Sequence, residues 1–114
     1  MANKIKLFED KKIRVSWDEE KQDWYFSVID VLSALTEKDY LTTRKYWNKL
    51  NQRLREEGCE SVSFCHQLKL EASDGKKYLT TVASAEGLLR IIQSVPSKKA
   101  EPFKQWFANL DKKF

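Results

Sequence analysis

The sequence contains few of the residues that interrupt regular structure or build special sites. Its 114 residues include 3 glycines, 2 prolines, 2 cysteines and a single histidine. The scarcity of glycine and proline, without any low-complexity tract, argues against a disordered chain. The first residues, Met1 to Phe8, contain no apolar run long enough for a signal peptide or a membrane span. We therefore expect a single cytoplasmic domain over residues 1–114 that does not contact membranes.

The shortage of cysteine and histidine also restricts catalysis and metal binding. Cys59 and Cys65 form no C-x-x-C motif, and we expect both to be reduced thiols in the cytoplasm. His66 follows Cys65 in a predicted strand, where neighbouring side chains point to opposite faces, so the two do not form a nucleophile–base pair. Structural zinc needs about four ligands, and these three residues have unsuitable spacing. The sequence predicts no enzyme, no cofactor and no metal site.

What the chain does have is a hydrophobic share of 41% and aromatic residues along its whole length, enough for a core. Apolar and polar residues alternate over 13–17, and 24–26 reads as the returning strand of a hairpin. A second hairpin is predicted from strands over 61–70 and 78–82. Its turn is 73–76, where Asp-Gly supplies the positive φ angles of a tight turn.

Four helices are predicted between and after these hairpins. The first is short and opens at Ser27 with a capping box. The second covers 41–57 and is stopped by Gly58. Ser84 caps the third, and the fourth begins near 99–101. The expected fold is therefore α+β, with small antiparallel hairpins packed with about four short helices.

The fourth helix carries an apolar stripe that continues to the last residue of the chain. The stripe consists of aromatic and leucine side chains at helical spacing: Phe103, Trp106, Phe107, Leu110 and Phe114. Two interpretations follow. The stripe packs on the core of this domain, or it meets a partner or a further part of a longer protein from which this chain is a fragment.

The helix over 41–57 is the segment with the clearest functional pattern. Its apolar residues fall on one side, and no acidic residue occurs before Glu56. The opposite arc carries only basic and amide side chains: Arg44, Lys45, Asn48, Lys49, Asn51, Gln52 and Arg55. Cations neutralise phosphates, while Arg, Asn and Gln can bond base edges bidentately, so this face suits duplex DNA. A plain solvated basic face is the alternative.

Two further basic positions accompany a net charge of +4. Lys76 and Lys77 lie at the predicted hairpin tip, where they could enter a groove or follow a phosphate backbone. Lys98 and Lys99 form a second pair. A lysine-bearing turn more often serves solubility alone.

Six segments follow one another along the chain in a recognisable order: Ile13-Arg14-Val15, Trp24-Tyr25-Phe26-Ser27-Val28-Ile29-Asp30-Val31-Leu32, Arg44-Lys45-Tyr46-Trp47-Asn48-Lys49-Leu50, Gln67-Leu68-Lys69-Leu70, Asp74-Gly75-Lys76 and 86–106. The last contains a Gly-Leu helix, a Ser-x-x-Pro-x-x-Ala joint and a Phe-Lys-x-Trp helix. In this order the segments resemble the BRO family N-terminal domain, found in phage antirepressors and baculovirus proteins. The resemblance covers about residues 12–110, and the last segment is its strongest match.

The basic helix and the Asp-Gly-Lys hairpin look closest to the branch that includes DNA-damage-inducible protein D. The sequence departs from many members at Leu35-Thr36-Glu37, where they carry Leu-Gly-Tyr. The resemblance implies DNA binding in phage or stress-response regulation, and a second, variable domain after this one. The alternative function is a protein-interaction module that sequesters a repressor or other partner without catalysis. The oligomeric state stays open, a homodimer included.

Overall fold

A computed structural model describes residues 2–58 and 65–111, with the side chains of residues 4–58 and 65–109. Within these ranges the chain forms five strands and four helices. The strands are β1 (Ala2–Phe8), β2 (Lys11–Asp18), β3 (Asp23–Ser27), β4 (Cys65–Glu71) and β5 (Lys77–Ser84). The helices are α1 (Val28–Thr36), α2 (Tyr40–Glu56), α3 (Ala85–Gln93) and α4 (Ala100–Asp111). The predicted α+β class is confirmed.

All five strands belong to one antiparallel sheet in the order β1-β2-β3-β5-β4. The predicted hairpin of β2 and β3 is confirmed, with a turn between Asp18 and Asp23. β1 was not predicted, although it pairs with β2 along seven residues. The part of the predicted fourth strand over 61–64 lies outside the described residues.

The main core lies between one face of this sheet and the helices. Phe26 of β3 contacts Phe107 of α4 at 4.9 Å between ring centroids, and Phe8 of β1 contacts Phe103 at 5.1 Å. Leu88 and Ile92, on the predicted apolar stripe of α3, are fully buried in the same core. A smaller cluster of Tyr25, Leu70 and Val82 occupies the other face. The helices therefore cover one face of the sheet, and the other face carries the smaller cluster.

The caps of the helices agree with the sequence at two of the predicted positions. Ser27 accepts a hydrogen bond from Asp30 N–H, and Ser84 accepts one from Gly87 N–H. The reciprocal half of the predicted capping box is wrong, because the Asp30 carboxylate binds Arg14 instead. No helix in the described part of the chain is long and apolar enough to cross a membrane.

Candidate nucleic-acid interface

Helix α2 begins one residue before its predicted start, and side chains cap its N-terminal end. Asp39 is the N-cap, and its carboxylate accepts a hydrogen bond from Thr42 N–H at 2.7 Å. The Thr43 hydroxyl donates to the Asp39 carbonyl oxygen at 2.6 Å. At the other end, Gly58 follows with φ of +79°, a backbone conformation that favours glycine. The element that carries the candidate site is thus fixed at both ends.

The predicted apolar side of α2 is buried. Trp47, Leu50 and Leu54 belong to the main core, with exposures of 6%, 1% and 3%. Thr43 is also buried, and Tyr46 lies at the margin of the core. The helix therefore has a fixed rotation about its own axis, which determines the side chains that face solvent.

The opposite side of α2 is exposed and nearly free of acids. We call its six exposed predicted residues the α2 basic face: Arg44, Lys45, Asn48, Lys49, Gln52 and Arg55. Glu56 closes the helix and accepts a hydrogen bond from Gln52 at 3.3 Å. The seventh predicted residue, Asn51, is only half-exposed, and its buried Oδ1 has no hydrogen-bond partner among the described residues. We leave Asn51 out of the face for this reason.

The tip of the β4–β5 hairpin presents Lys76 and Lys77 to solvent, as predicted. The turn differs from the predicted one, because it has a three-residue loop and only Gly75 has positive φ. The Tyr78 hydroxyl and the Lys76 N–H both donate to Asp74 and lower the pKa of its carboxyl group. A charged acid thus sits beside the two lysines and weakens the local positive potential.

An open cleft of about 1360 Å³ separates α2 from the β4–β5 hairpin. Arg44 and Asn48 line it on the α2 side, and Gln67, Leu79 and Thr81 line it on the hairpin side. The structure therefore brings two residues of the α2 basic face opposite the hairpin strands. The other predicted site residues do not line the cleft: Lys45, Lys49, Asn51, Gln52, Arg55, Lys76 and Lys77.

The cleft also contains basic residues that sequence reasoning missed. Lys4 of β1 and Lys12 of β2 lie on the wall opposite the hairpin, where Lys12 is exposed to solvent. Lys4 was overlooked because β1 was not recognised as a strand, and Lys12 because the predicted strand began only at residue 13. The signal was present in the alternation of Lys4, Ile5, Lys6 and Leu7, which is typical of a half-exposed strand.

The second predicted basic pair is only partly available to a ligand. The Lys99 ammonium is bound to both carboxylate oxygens of Glu9 and lies 3.9 Å from Glu37. These partners raise the pKa of Lys99 and neutralise its charge locally. Lys98 remains exposed beside it. Lys99 is therefore less available to an anionic ligand than the exposed cations of α2.

The neighbouring Cys65 and His66 point to opposite faces of β4, as predicted. Cys65 packs against the main core, and the His66 ring contacts Tyr25 at 5.2 Å on the other face. Burial raises the pKa of the Cys65 thiol to about 11. A thiol of this kind is a poor nucleophile near neutral pH, since the reactive form is the thiolate.

The apolar stripe of α4 packs on the domain itself. Phe103 is fully buried, Phe107 is 6% exposed, and Trp106 contacts the rings of Phe8 and Phe103. The side chains of Leu110 and Phe114 lie outside the described residues. Of the two interpretations of this stripe, packing on the core of this domain is confirmed for its first three residues. A repressor docking on these residues would have to displace the core.

Comparison with known families gives a match along nearly the whole chain. The model of the BRO family, N-terminal domain, matches residues 12–111, which include β2 to β5 and all four helices. Neither the curated proteins nor the solved structures that were compared give a match. The matched range confirms the resemblance drawn from the separate motifs. The chain belongs to the BRO family and carries its N-terminal domain.

Proposed function

We propose that this chain is a non-catalytic DNA-binding module of a phage antirepressor or a stress-response regulator, and that it contacts duplex DNA through the α2 basic face. The observation that supports this proposal best is the absence of acids from Tyr40 to Arg55 on a helix whose polar side is exposed. Exposed helices usually mix charges, because acid–base pairs four residues apart stabilise them. A helix without such pairs has its cations available for phosphates.

The composition of the face suits both kinds of contact with a duplex. Arg44, Lys45, Lys49 and Arg55 supply four positive charges, and Asn48 and Gln52 supply amides. The cations neutralise phosphates, and arginine and amide side chains bond guanine and adenine edges in the major groove. The hairpin lysines Lys76 and Lys77 would add phosphate contacts beside the helix.

Family membership supports the same function. BRO N-terminal domains are associated with DNA-binding and antirepressor-like roles. A rigid scaffold is a further support, since Trp47, Leu50 and Leu54 hold α2 in the core. Side chains on such a helix keep their relative positions when they meet a duplex, which reduces the cost of binding.

The test is a salt-titrated binding measurement with a duplex probe and a double charge reversal. If the four α2 cations and two hairpin lysines each meet a phosphate, log Kobs should fall against log salt with a slope of about −5. Arg44→Glu with Lys49→Glu should reduce the steepness of this slope by about 2 and abolish binding at 200 mM salt. Both positions are exposed, so circular dichroism should show an intact fold.

The matched control is Lys21→Glu with Lys98→Glu, which changes the net charge equally at exposed positions outside α2. We expect this variant to keep most of the affinity at 100 mM salt. Equal losses in the two double variants would mean that binding depends on net charge and that α2 has no special role. Absence of duplex binding by the intact chain at 50 mM salt would refute the proposal.

A further inference from the structure

Strand β3 is shorter than its two neighbours, and a gap opens in the sheet where it ends. Its pairing with β2 stops at Val15–Phe26, and its pairing with β5 stops at Ser27–Val82. The first residues of β2 and β5 therefore have a strand neighbour on one side only. Helix α1 begins in this gap, and the cleft opens beyond it between the β1–β2 and β4–β5 hairpins.

The free side of β5 presents backbone hydrogen-bonding groups to the cleft. At the hairpin tip, Ala72 N–H donates to the Lys76 carbonyl oxygen at 2.8 Å. Consecutive residues of an antiparallel strand direct their backbone groups alternately to the two sides. The register of β4 with β5 continues without interruption from this tip. Tyr78 and Thr80 therefore bond to β4, and the N–H and C=O groups of Leu79 point toward the cleft.

The side chains around this free edge are apolar and positively charged. Four of the six exposed large hydrophobic residues among those described line the cleft: Ile5, Tyr40, Tyr78 and Leu79. Lys12 and Arg44 stand among them. Two carboxylates also line the cleft, against four cations: Asp30 is paired with Arg14 at 2.7 Å, and Glu71 is exposed. The cleft therefore complements a ligand with apolar groups and negative charge.

We propose that an extended acidic peptide from a partner protein binds in this cleft by adding a strand to the free edge of β5. The peptide backbone would bond to Leu79, and its apolar side chains would cover Leu79 on the helix-covered face of the sheet. Its carboxylates would point to the opposite face and meet Lys12. A nucleic acid strand offers phosphates but no backbone N–H ladder for a strand edge. A peptide satisfies both the edge and the cations, and for this reason the geometry favours it.

The peptide site overlaps the proposed DNA contact at Arg44 and Asn48, and its other residues lie outside that contact. A peptide in the cleft would cover those two side chains and compete with duplex binding. The peptide site itself does not depend on DNA binding, because Lys12, Leu79 and Ile5 lie outside the α2 basic face. Failure of one proposal therefore leaves the other intact.

The test uses the full chain and an eight-residue peptide of alternating glutamate and valine, labelled with fluorescein for anisotropy and unlabelled for amide NMR. We expect saturable binding, shifts of the Leu79 and Lys12 amide signals, and slower hydrogen exchange at Leu79. The same peptide with N-methyl groups at alternate residues should bind at least about fivefold more weakly in one of its two methylation registers. Equal binding of both methylated forms, or no Leu79 shift at 1 mM peptide, would overturn the proposal. A stronger Leu79 shift with oligodeoxythymidine would assign the cleft to nucleic acid instead.

Charge reversal gives a second test with a matched neighbour. Lys12→Glu should weaken binding of the acidic peptide by about fivefold and strengthen binding of a lysine–valine peptide. Lys11→Glu is the control, because Lys11 is equally exposed on β2 but does not line the cleft. Equal effects of the two variants would reduce the interaction to general charge attraction. Neither variant alters the α2 basic face, so duplex binding measured alongside should persist.

Discussion

Arg14 joins several elements through one side chain at the floor of the cleft. Its guanidinium donates to both oxygens of Asp30, at 2.7 and 3.0 Å, and to the Glu71 carbonyl oxygen at 3.2 Å. Its backbone N–H donates to Asp30 as well. The hydrogen bond with Asp30 raises the pKa of Arg14 despite partial burial. The Arg14 side chain thus joins β2 to α1 by an ion pair and to the end of β4 by a hydrogen bond.

We predict that Asp30→Ala lowers the free energy of unfolding by about 3 kcal/mol, because it leaves the partly buried Arg14 guanidinium without its carboxylate partner. Urea unfolding at pH 7 measures this loss. The control is Glu101→Ala, which removes the exposed ion pair with Lys104 and should cost less than about 0.5 kcal/mol. Similar losses in the two variants would show that the Arg14–Asp30 pair contributes no more to stability than an exposed ion pair.

For single residues, sequence patterns predicted hydrogen bonds between near neighbours in the chain but not those between distant residues. The Ser27 cap was predictable because its partner lies three residues away. Asp30 was assigned to the same capping box, but it binds Arg14, sixteen residues earlier. A hydrogen bond across that distance depends on how β2 and α1 meet, which no spacing rule contains. The seven polar positions of α2 were predictable from helical periodicity, except that Asn51 is half-buried.

Among the elements, α2 depends on a charged N-cap. The hydrogen bond from Thr42 N–H lowers the pKa of Asp39 below its ordinary value of 3.8. A lowered pKa in the folded state means that the ionised cap stabilises the fold above pH 3.8. This contribution is lost as the pH falls through the lower, folded-state pKa.

We predict that Asp39→Asn keeps the cap but removes its titration, because an asparagine side chain also accepts the Thr42 hydrogen bond. The wild-type chain should exceed the variant in unfolding free energy at pH 6, and the difference should shrink between pH 4 and pH 3. Urea unfolding at each pH measures it, and the other carboxyl groups cancel between the two chains. A difference that stays constant with pH would contradict the assignment of the charge to the cap.

Two elements show why sequence patterns were insufficient. β1 alternates lysine with apolar residues, and this strand pattern was not recognised beside the stronger pattern of β2. At 73–76, the Asp-Gly pair suggested two positive φ angles, whereas only Gly75, with φ of +85°, has one. Loop length depends on the register of β4 with β5, and register is fixed by packing of Leu70 and Val82 in the small cluster.

For the molecule as a whole, a chain of aromatic contacts joins the first strand to the last helix. Phe103 lies at its centre, 5.1 Å from Phe8 and 5.2 Å from Trp106, and it is completely buried. Phe107 extends the chain to Phe26 in the centre of the sheet. The edge of the sheet and α4 therefore share one core.

We predict that Phe103→Ala destabilises the entire fold by about 3–5 kcal/mol, because the cavity removes contacts from both β1 and α4. Thermal unfolding followed by circular dichroism and by tryptophan fluorescence should give one common transition at a lower temperature. Leu41→Ala, at a position 68% exposed, is the control and should change stability little. Separate transitions for the two signals would show that α4 unfolds independently.

The order of the strands in the sheet could not be predicted from the sequence patterns. The β2–β3 and β4–β5 hairpins could be predicted from their own turns, but the side-by-side position of β3 and β5 pairs Tyr25 with Ser84 across about half of the chain. That pairing depends on α1 and α3 covering the same face of the sheet. The cleft results from it, so its walls could not be assembled from separate motifs.

The brief contact of β3 with β5 also has a kinetic consequence. Its three residue pairs connect parts of the chain more than fifty residues apart, whereas the β1–β2, β2–β3 and β4–β5 hairpins close over short loops. Closing a long loop costs entropy before any contact rewards it. Hairpins and helices would therefore form early, and the pairing of β3 with β5 would be the late, rate-limiting step of folding.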